Sequence, residues 1–148
     1  MRKFLIIALS ILFLSFDLVE YSIFQKDDMP SKIKATFIYN FTRYFEWPES
    51  KEPTFNITIL GENPGLAAKL TEMSSTKTVG AKKIVVHTIN ALAEASKPEI
   101  LFILPDKSST LSDAVSKFKG KGTLIEPEKT GLAKDGAAIN FVILDNHL

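Results

Sequence analysis

Apolar residues between positions 31 and 46 recur every three or four residues, which is the spacing of an amphipathic α-helix. Ser31 is suited to cap the start of this helix. Pro48 ends it, because the residue before a proline is pushed out of the helical region. A helical projection gathers apolar side chains on one broad face that we expect to pack on a sheet. This face consists of Ile33, Phe37, Ile38, Phe41, Tyr44 and Phe45. Lys34 falls on the same face, so we expect its ammonium group to extend past the apolar side chains into water.

From residue 55 onward, short apolar runs of strand length alternate with segments of helical length. The runs predict strands at 55–61, 82–89, 99–105, 122–127 and 137–146, and the segments predict helices at 63–73 and 108–120, with helical turns at 90–98. Such alternation is typical of an α/β fold. We therefore predict a mainly parallel central sheet of about five strands flanked by helices, with Rossmann-like or flavodoxin-like layering.

The last predicted strand ends in Asp145 and Asn146, which look like a turn that opens into a further strand. An antiparallel direction is therefore left open for this strand. The sequence stops just after the turn, so we expect an apolar strand that lacks a neighbour.

The first 25 residues look like a targeting segment rather than part of the domain. Arg2 and Lys3 precede an uncharged, mostly apolar run from Phe4 to Phe16, which is the form of a secretory signal. No cleavage triplet of small residues follows, so an uncleaved anchor, a misassigned start codon or a buried core helix stays open. We predict a signal peptide or anchor at 1–25 and one domain at 31–148.

Composition narrows the function classes. The chain is 45% hydrophobic and 24% charged with a net charge of +1, which is ordinary for a globular protein. Without a basic stripe, a nucleic-acid surface is disfavoured. The absence of cysteine excludes disulfides, thiol catalysis and thiolate metal sites.

Catalytic and metal-binding patterns are also missing from the sequence. The two histidines, His87 and His147, have no second ligand at helix or strand spacing, and no G-x-S-x-G turn is present. We predict no catalytic residue, no metal ligand and no cofactor. A hydrolase or phosphatase is kept as the weakest alternative.

The turn "GENPG" after the first predicted strand is the best candidate for a ligand crevice, formed by Gly61, Asn63 and Gly65. It could present helix N–H groups to an anion at the carboxyl ends of the strands, near "LPDKS". It lacks the glycine spacing of a dinucleotide site and the lysine of a P-loop, and Pro64 removes one donor. An ordinary β–α turn is the alternative.

A second candidate lies at the end of the first predicted helix. Tyr39, Asn40, Arg43 and Trp47 project away from the phenylalanine face, and Pro48, which follows directly, is the fifth candidate. They either close the end of the helix, with Trp47 against the first strand, or form a contact surface, because Trp, Tyr and Arg are enriched at interface hot spots.

Five stretches resemble the YfiR family of small periplasmic proteins, in family order from residue 32 to 148. They are "KIKATFIYNFTRYFEWP", "FNITILGENPGLAAKL", "VGAKKIVVHTI", "PEILFILP" and "GAAINFVILDNHL". In the first stretch the matching residues are Lys34, Phe37, Tyr39, Asn40, Phe41, Arg43, Tyr44, Trp47 and Pro48.

This resemblance implies a periplasmic α/β domain without enzymatic activity. It implies a repressor that binds the periplasmic domain of a membrane sensor protein, a diguanylate cyclase, and so holds down cyclic-di-GMP synthesis and biofilm formation. It also implies release by an OmpA-like outer-membrane lipoprotein, and a homodimer. Two departures matter. The family's disulfides have no counterpart here. The family's C-terminal strand and helix are also missing, and this second departure suggests a truncated gene model or a degraded copy. It would leave a sheet edge through which the chain could dimerise.

Our prediction is therefore an exported, non-catalytic regulatory domain that binds a membrane signalling protein, either a diguanylate cyclase or a sensor kinase. The alternative is a periplasmic domain that binds a small ligand at the carboxyl ends of the strands.

Overall fold

The computed structural model describes residues 28–129, together with residues 137 and 139. The predicted targeting segment at 1–25 lies outside the described residues, as do His147 and nearly all of the last predicted strand. The described elements follow the predicted alternation of strands and helices. They are α1 (Asp28–Tyr44), β1 (Thr54–Leu60), α2 (Pro64–Ser74), β2 (Thr78–Val79), β3 (Lys82–Ile89), β4 (Ile100–Ile103), α3 (Leu111–Phe118) and β5 (Leu124–Pro127), with 3-10 turns at Leu92–Glu94 and Pro105–Thr110.

The strands form one five-stranded sheet in the order β2-β3-β1-β4-β5. The central strand β1 runs parallel to both neighbours, so that Ile57 lies opposite Val86 on one side and Ile100 on the other. β5 is parallel to β4, and β2 is antiparallel to β3. These pairings confirm the predicted α/β fold and its mainly parallel sheet. The two-residue strand β2 was not predicted, because so short a pairing leaves no periodic pattern.

The sheet is covered on both faces. Along β4, Ile100 and Phe102 point to one face and Leu101 and Ile103 to the other, and all four are fully buried. This matches the continuous apolar run that predicted a strand with no solvated face. Helices α1 and α2 cover the first face with Ala35, Ile38, Leu66 and Leu70; α3 covers the second with Leu111, Ala114 and Phe118.

The predicted orientation of α1 is wrong. Of the predicted face, Ile38 is buried and Phe41 is half-buried, but Ile33 and Phe37 are each 39% exposed and Tyr44 is 77% exposed. Phe45 lies past the end of the helix and is 37% exposed. The buried residues of α1 are Ser31, Lys34, Ala35, Ile38 and Thr42.

Polar partners explain this orientation. Lys34 does not extend into water as predicted; it is buried and forms an ion pair with Glu128, just after β5. The buried Thr42 hydroxyl donates to the carbonyl oxygen of Tyr39 at 2.6 Å. A buried polar group is tolerated when it has such a partner, and a projection that counts only apolar residues cannot register one.

The start of α1 lies against the start of α2. A side chain at Gly65 would begin only 2.8 Å from the hydroxyl oxygen of Ser31. Gly65 therefore permits the close approach of the two helices.

Candidate functional site

Trp47 closes the carboxyl end of α1. Its indole N–H donates to the carbonyl oxygen of Thr42 at 2.9 Å, which satisfies one of the acceptors that the last helical turn leaves open. Its ring meets the ring of Phe55 in β1 edge-on, with 4.9 Å between the centroids. The predicted closing role of Trp47 against the first strand is thereby confirmed.

Pro48 extends this closure to the turn between α3 and β5. Its ring occupies the space that a side chain at Gly122 would take, and φ at Gly122 is 74°. A side chain at Gly122 would collide with this ring, and the positive φ itself favours glycine. Residues 47 and 48 therefore join the end of α1 to both β1 and the entry of β5.

The other three residues of this candidate site divide between core and surface. Tyr39 is half-buried against the core under α1, and the ammonium group of Lys77 lies 5.5 Å from the centroid of its ring. Asn40 is half-buried and Arg43 is exposed. Arg43 is thus the candidate most available to a partner.

The exposed face of α1 carries Ile33, Phe37 and Tyr44, which the helical projection predicted to pack on the sheet. We call Ile33, Phe37, Arg43 and Tyr44 the outer helix surface. Ile33 and Tyr44 are eleven positions apart, which is three helical turns, so both side chains lie on the same side of α1. Lys32 and Arg43 have the same spacing and are exposed beside them. The result is an apolar, aromatic stripe with a basic flank, the pattern by which a helix docks in a groove of a partner.

In the turn after β1, two of the three predicted crevice residues, Gly61 and Asn63, make hydrogen bonds within the fold. Gly61 has a φ of 114°, and its amide donates to the carbonyl oxygen of Ile89 at 2.9 Å. The side-chain oxygen of Asn63 accepts from the amide of Leu66 at 3.0 Å and so caps α2. The cap occupies one of the N–H groups that an anion would use, and Pro64 at the first turn supplies none.

Polar side chains nevertheless gather at the carboxyl ends of the parallel strands. Asn90 follows β3 and donates to the carboxylate of Glu62 at 3.3 Å. Asp106 follows β4, and its carboxylate oxygen lies 3.1 Å from the position that a Gly61 side chain would take. Two carboxylates at this edge disfavour a phosphate and favour a neutral or cationic ligand.

Among the residues that the structure describes, no group of three or more metal-ligating side chains comes together. His87 is exposed in β3, with its Nε2 atom 3.4 Å from the side-chain oxygen of Asn56. A search of the described helices for one both long and apolar enough to cross a membrane found none.

A small α/β domain with a mostly parallel sheet and an amphipathic first helix is therefore the class that these contacts define. The model of the YfiR/HmsC-like family matches residues 31–148, so this chain belongs to that family. The family is one of regulatory domains and not of known enzymes. Neither the curated proteins nor the solved structures contain a match to this chain.

Proposed function

We propose that this chain is an exported regulatory domain that binds the periplasmic part of a membrane signalling protein and modulates it. The observation that carries the proposal is membership of the YfiR/HmsC-like family over residues 31–148, which suggests a periplasmic regulator of diguanylate cyclase signalling. A diguanylate cyclase is the first partner class and a sensor kinase the second. A homodimer and an OmpA-like lipoprotein that competes for the domain belong to the same proposal.

The outer helix surface supports contact with a protein partner. Tyr44 is 77% exposed, beside the exposed guanidinium of Arg43. Large aromatic and arginine side chains supply most of the binding energy in many interfaces. The matching partner surface is an apolar groove with carboxylates on its rim, because Lys32 and Arg43 flank the stripe.

The mechanism follows from stoichiometric binding. A domain that binds one conformation of a membrane sensor more tightly than another shifts the sensor toward that conformation. The size of the shift is limited by the ratio of the two affinities, so no chemistry in this chain is required.

The test is recovery of the partner from membranes, combined with the cellular level of cyclic-di-GMP after deletion of the gene. We expect a diguanylate cyclase or sensor kinase to be recovered with the wild-type chain and lost with Arg43→Glu combined with Tyr44→Ser. Lys97→Glu, in the exposed loop that leads into β4, is the matched control for the charge change. Recovery of no sensor, with an unchanged cyclic-di-GMP level on deletion, would overturn the proposal.

A second candidate function is binding of a small ligand at the polar edge formed by Glu62, Asn90 and Asp106. This edge lies where the chain leaves β1 for β3 on one side and later reaches β4 on the other, a position used by ligand sites in open α/β sheets. A thermal-shift screen with nucleosides, aromatic amino acids and small amines tests it, with nucleotides and sugar phosphates as the ligands expected to bind less well. Absence of any shift would remove this candidate.

A further inference from the structure

Three ionisable side chains are enclosed between α1 and the end of β5. Glu126 is 0% exposed, and the side chains of Lys34 and Glu128 are 11% and 14% exposed. Lys34 and Glu128 form an ion pair through the ammonium nitrogen and Oε1. Both glutamates point to the face covered by α1, because residues two apart in an extended chain share a face and lie roughly 7 Å apart.

Among the residues that the structure describes, the carboxyl group of Glu126 has no hydrogen-bond partner at either oxygen. Oε2 of Glu128 likewise has none within this part of the chain. Leu124, the residue before it on this face, belongs to the apolar core with Ala35 and Ile38. Burial raises the pKa of the Glu126 carboxyl from 4.5 to about 8, because an apolar surrounding disfavours the charged form.

The groups around Glu126 offer little positive charge to stabilise its carboxylate form. From α1, Lys34 is the buried cation and Tyr39 packs at the edge of the same core. From β4 and the residue after it, the side chains on this face are apolar, namely Ile100, Phe102 and Leu104. From the end of β5 comes a second carboxylate, Glu128. Within residues 28–129, Lys34 is the one buried cation, and it is already paired with Glu128.

We propose that Glu126, Lys34 and Glu128 form a proton-controlled latch that holds α1 against β5. With Glu126 neutral, the ion pair of Lys34 and Glu128 is undisturbed and α1 stays closed on the sheet. When Glu126 loses its proton, it competes for Lys34, and one carboxylate is left buried without a counter-charge. The contact between α1 and β5 then loosens. Because α1 carries the outer helix surface, the latch makes partner binding depend on pH; this last consequence rests on the proposed function.

The direction of the pH effect follows from the raised pKa. Between pH 4.5 and about 8 the folded chain holds a proton on Glu126 that the unfolded chain releases. The ratio of folded to unfolded chain therefore falls by up to tenfold per pH unit across this range and levels off above it. Below pH 4.5 the carboxyl is protonated in both the folded and the unfolded chain, so it adds no further pH dependence there.

The first experiment compares urea unfolding of the full chain at pH 5 to 9 for the wild type, Glu126→Gln and Glu52→Gln. Glu52 is exposed and serves as the control for loss of one carboxylate. We expect Glu126→Gln to gain stability relative to wild type by several-fold to tenfold per pH unit up to about pH 8, and Glu52→Gln to follow the wild type. Parallel pH profiles for wild type and Glu126→Gln would overturn the proposal.

The second experiment locates the loosening. Amide hydrogen exchange of α1 is measured relative to that of α3, which lies on the other face of the sheet. The intrinsic exchange rate of amides changes with pH in both helices alike, so the comparison removes that effect. We expect the protection of α1 relative to α3 to fall as pH passes about 8 in the wild type and to stay constant in Glu126→Gln. An equal loss in both helices, or the same loss in both proteins, would overturn the latch. Neither experiment uses a partner, so failure here leaves the proposed function to its own test.

Discussion

The rings of Trp47 and Phe55 meet edge-on with 4.9 Å between their centroids, and this contact holds the end of α1 to the first strand of the sheet. Edge-to-face pairs add stability beyond the area they bury. Trp47 is the one tryptophan of the chain, so its fluorescence reports on this contact directly.

We expect Trp47→Ala to lower the free energy of unfolding by about 2–3 kcal/mol, which is below the usual cost for a fully buried tryptophan because part of the ring is exposed. Trp47→Phe keeps the ring contact and loses only the hydrogen bond to Thr42, so a loss of about 1 kcal/mol is expected. Urea unfolding followed by circular dichroism measures both. Full stability of Trp47→Ala together with loss of a partner would instead identify Trp47 as a contact residue.

Replacement of only one partner of the Lys34–Glu128 ion pair is predicted to lower the free energy of unfolding strongly. Lys34→Met and Glu128→Leu each leave the other group enclosed without its partner, and each is expected to cost about 3 kcal/mol. The double variant Lys34→Met with Glu128→Leu is expected to cost clearly less than the sum, because no charge then remains in the layer. A double-mutant cycle measures this coupling. Additive losses would show that the pair does not hold α1.

Two glycines with positive φ are predicted to differ in their tolerance of alanine. At Gly61, φ is 114° and a side chain would begin 2.9 Å from the Cδ1 atom of Leu104, so Gly61→Ala is expected to cost about 2–4 kcal/mol. At Gly80, φ is 58° and the space is open, so Gly80→Ala carries backbone strain alone, about 1 kcal/mol. Thermal unfolding of the two variants compares them. Equal losses would mean that Leu104 gives way.

The cap of α2 provides a test of the predicted ligand crevice. Asn63→Ala removes the acceptor for the Leu66 amide and is expected to lower the free energy of unfolding by about 1 kcal/mol, whereas Asn63→Asp retains it. If Asn63 also binds a ligand, both variants will lose the ligand-induced thermal shift, although Asn63→Asp keeps its stability. A retained shift in Asn63→Asp would restrict Asn63 to capping.

Element order and sheet type could be predicted because they depend on local patterns. The run 99–105 predicted a strand with no solvated face, and Ile100–Ile103 is fully buried in the middle of the sheet. The two-residue strand Thr78–Val79 could not be predicted from a local pattern, because its pairing is decided by the turn at Gly80 and by Lys82 and Lys83 of β3.

The orientation of α1 could not be predicted because it depends on distant polar partners. Hydrophobic periodicity predicted that Phe37 and Tyr44 belong to the core, and the structure exposes both. The deciding contact, between Lys34 and Glu128, joins residues that no local window contains together. The burial of Glu126 could not be predicted for a related reason, since a strand pattern does not reveal that a carboxyl group faces the core.

Lys34 and Glu128 are 94 positions apart, so the first helix leaves the ribosome long before its buried lysine can meet a counter-charge. β1 likewise must wait for β3 and β4 before either of its edges is paired. Contacts of such long range slow folding and delay it until most of the chain is present. We therefore expect nascent or shortened chains that end before β5 to remain open and to be bound by chaperones or cut by proteases, whereas the longer chain closes in one late cooperative step.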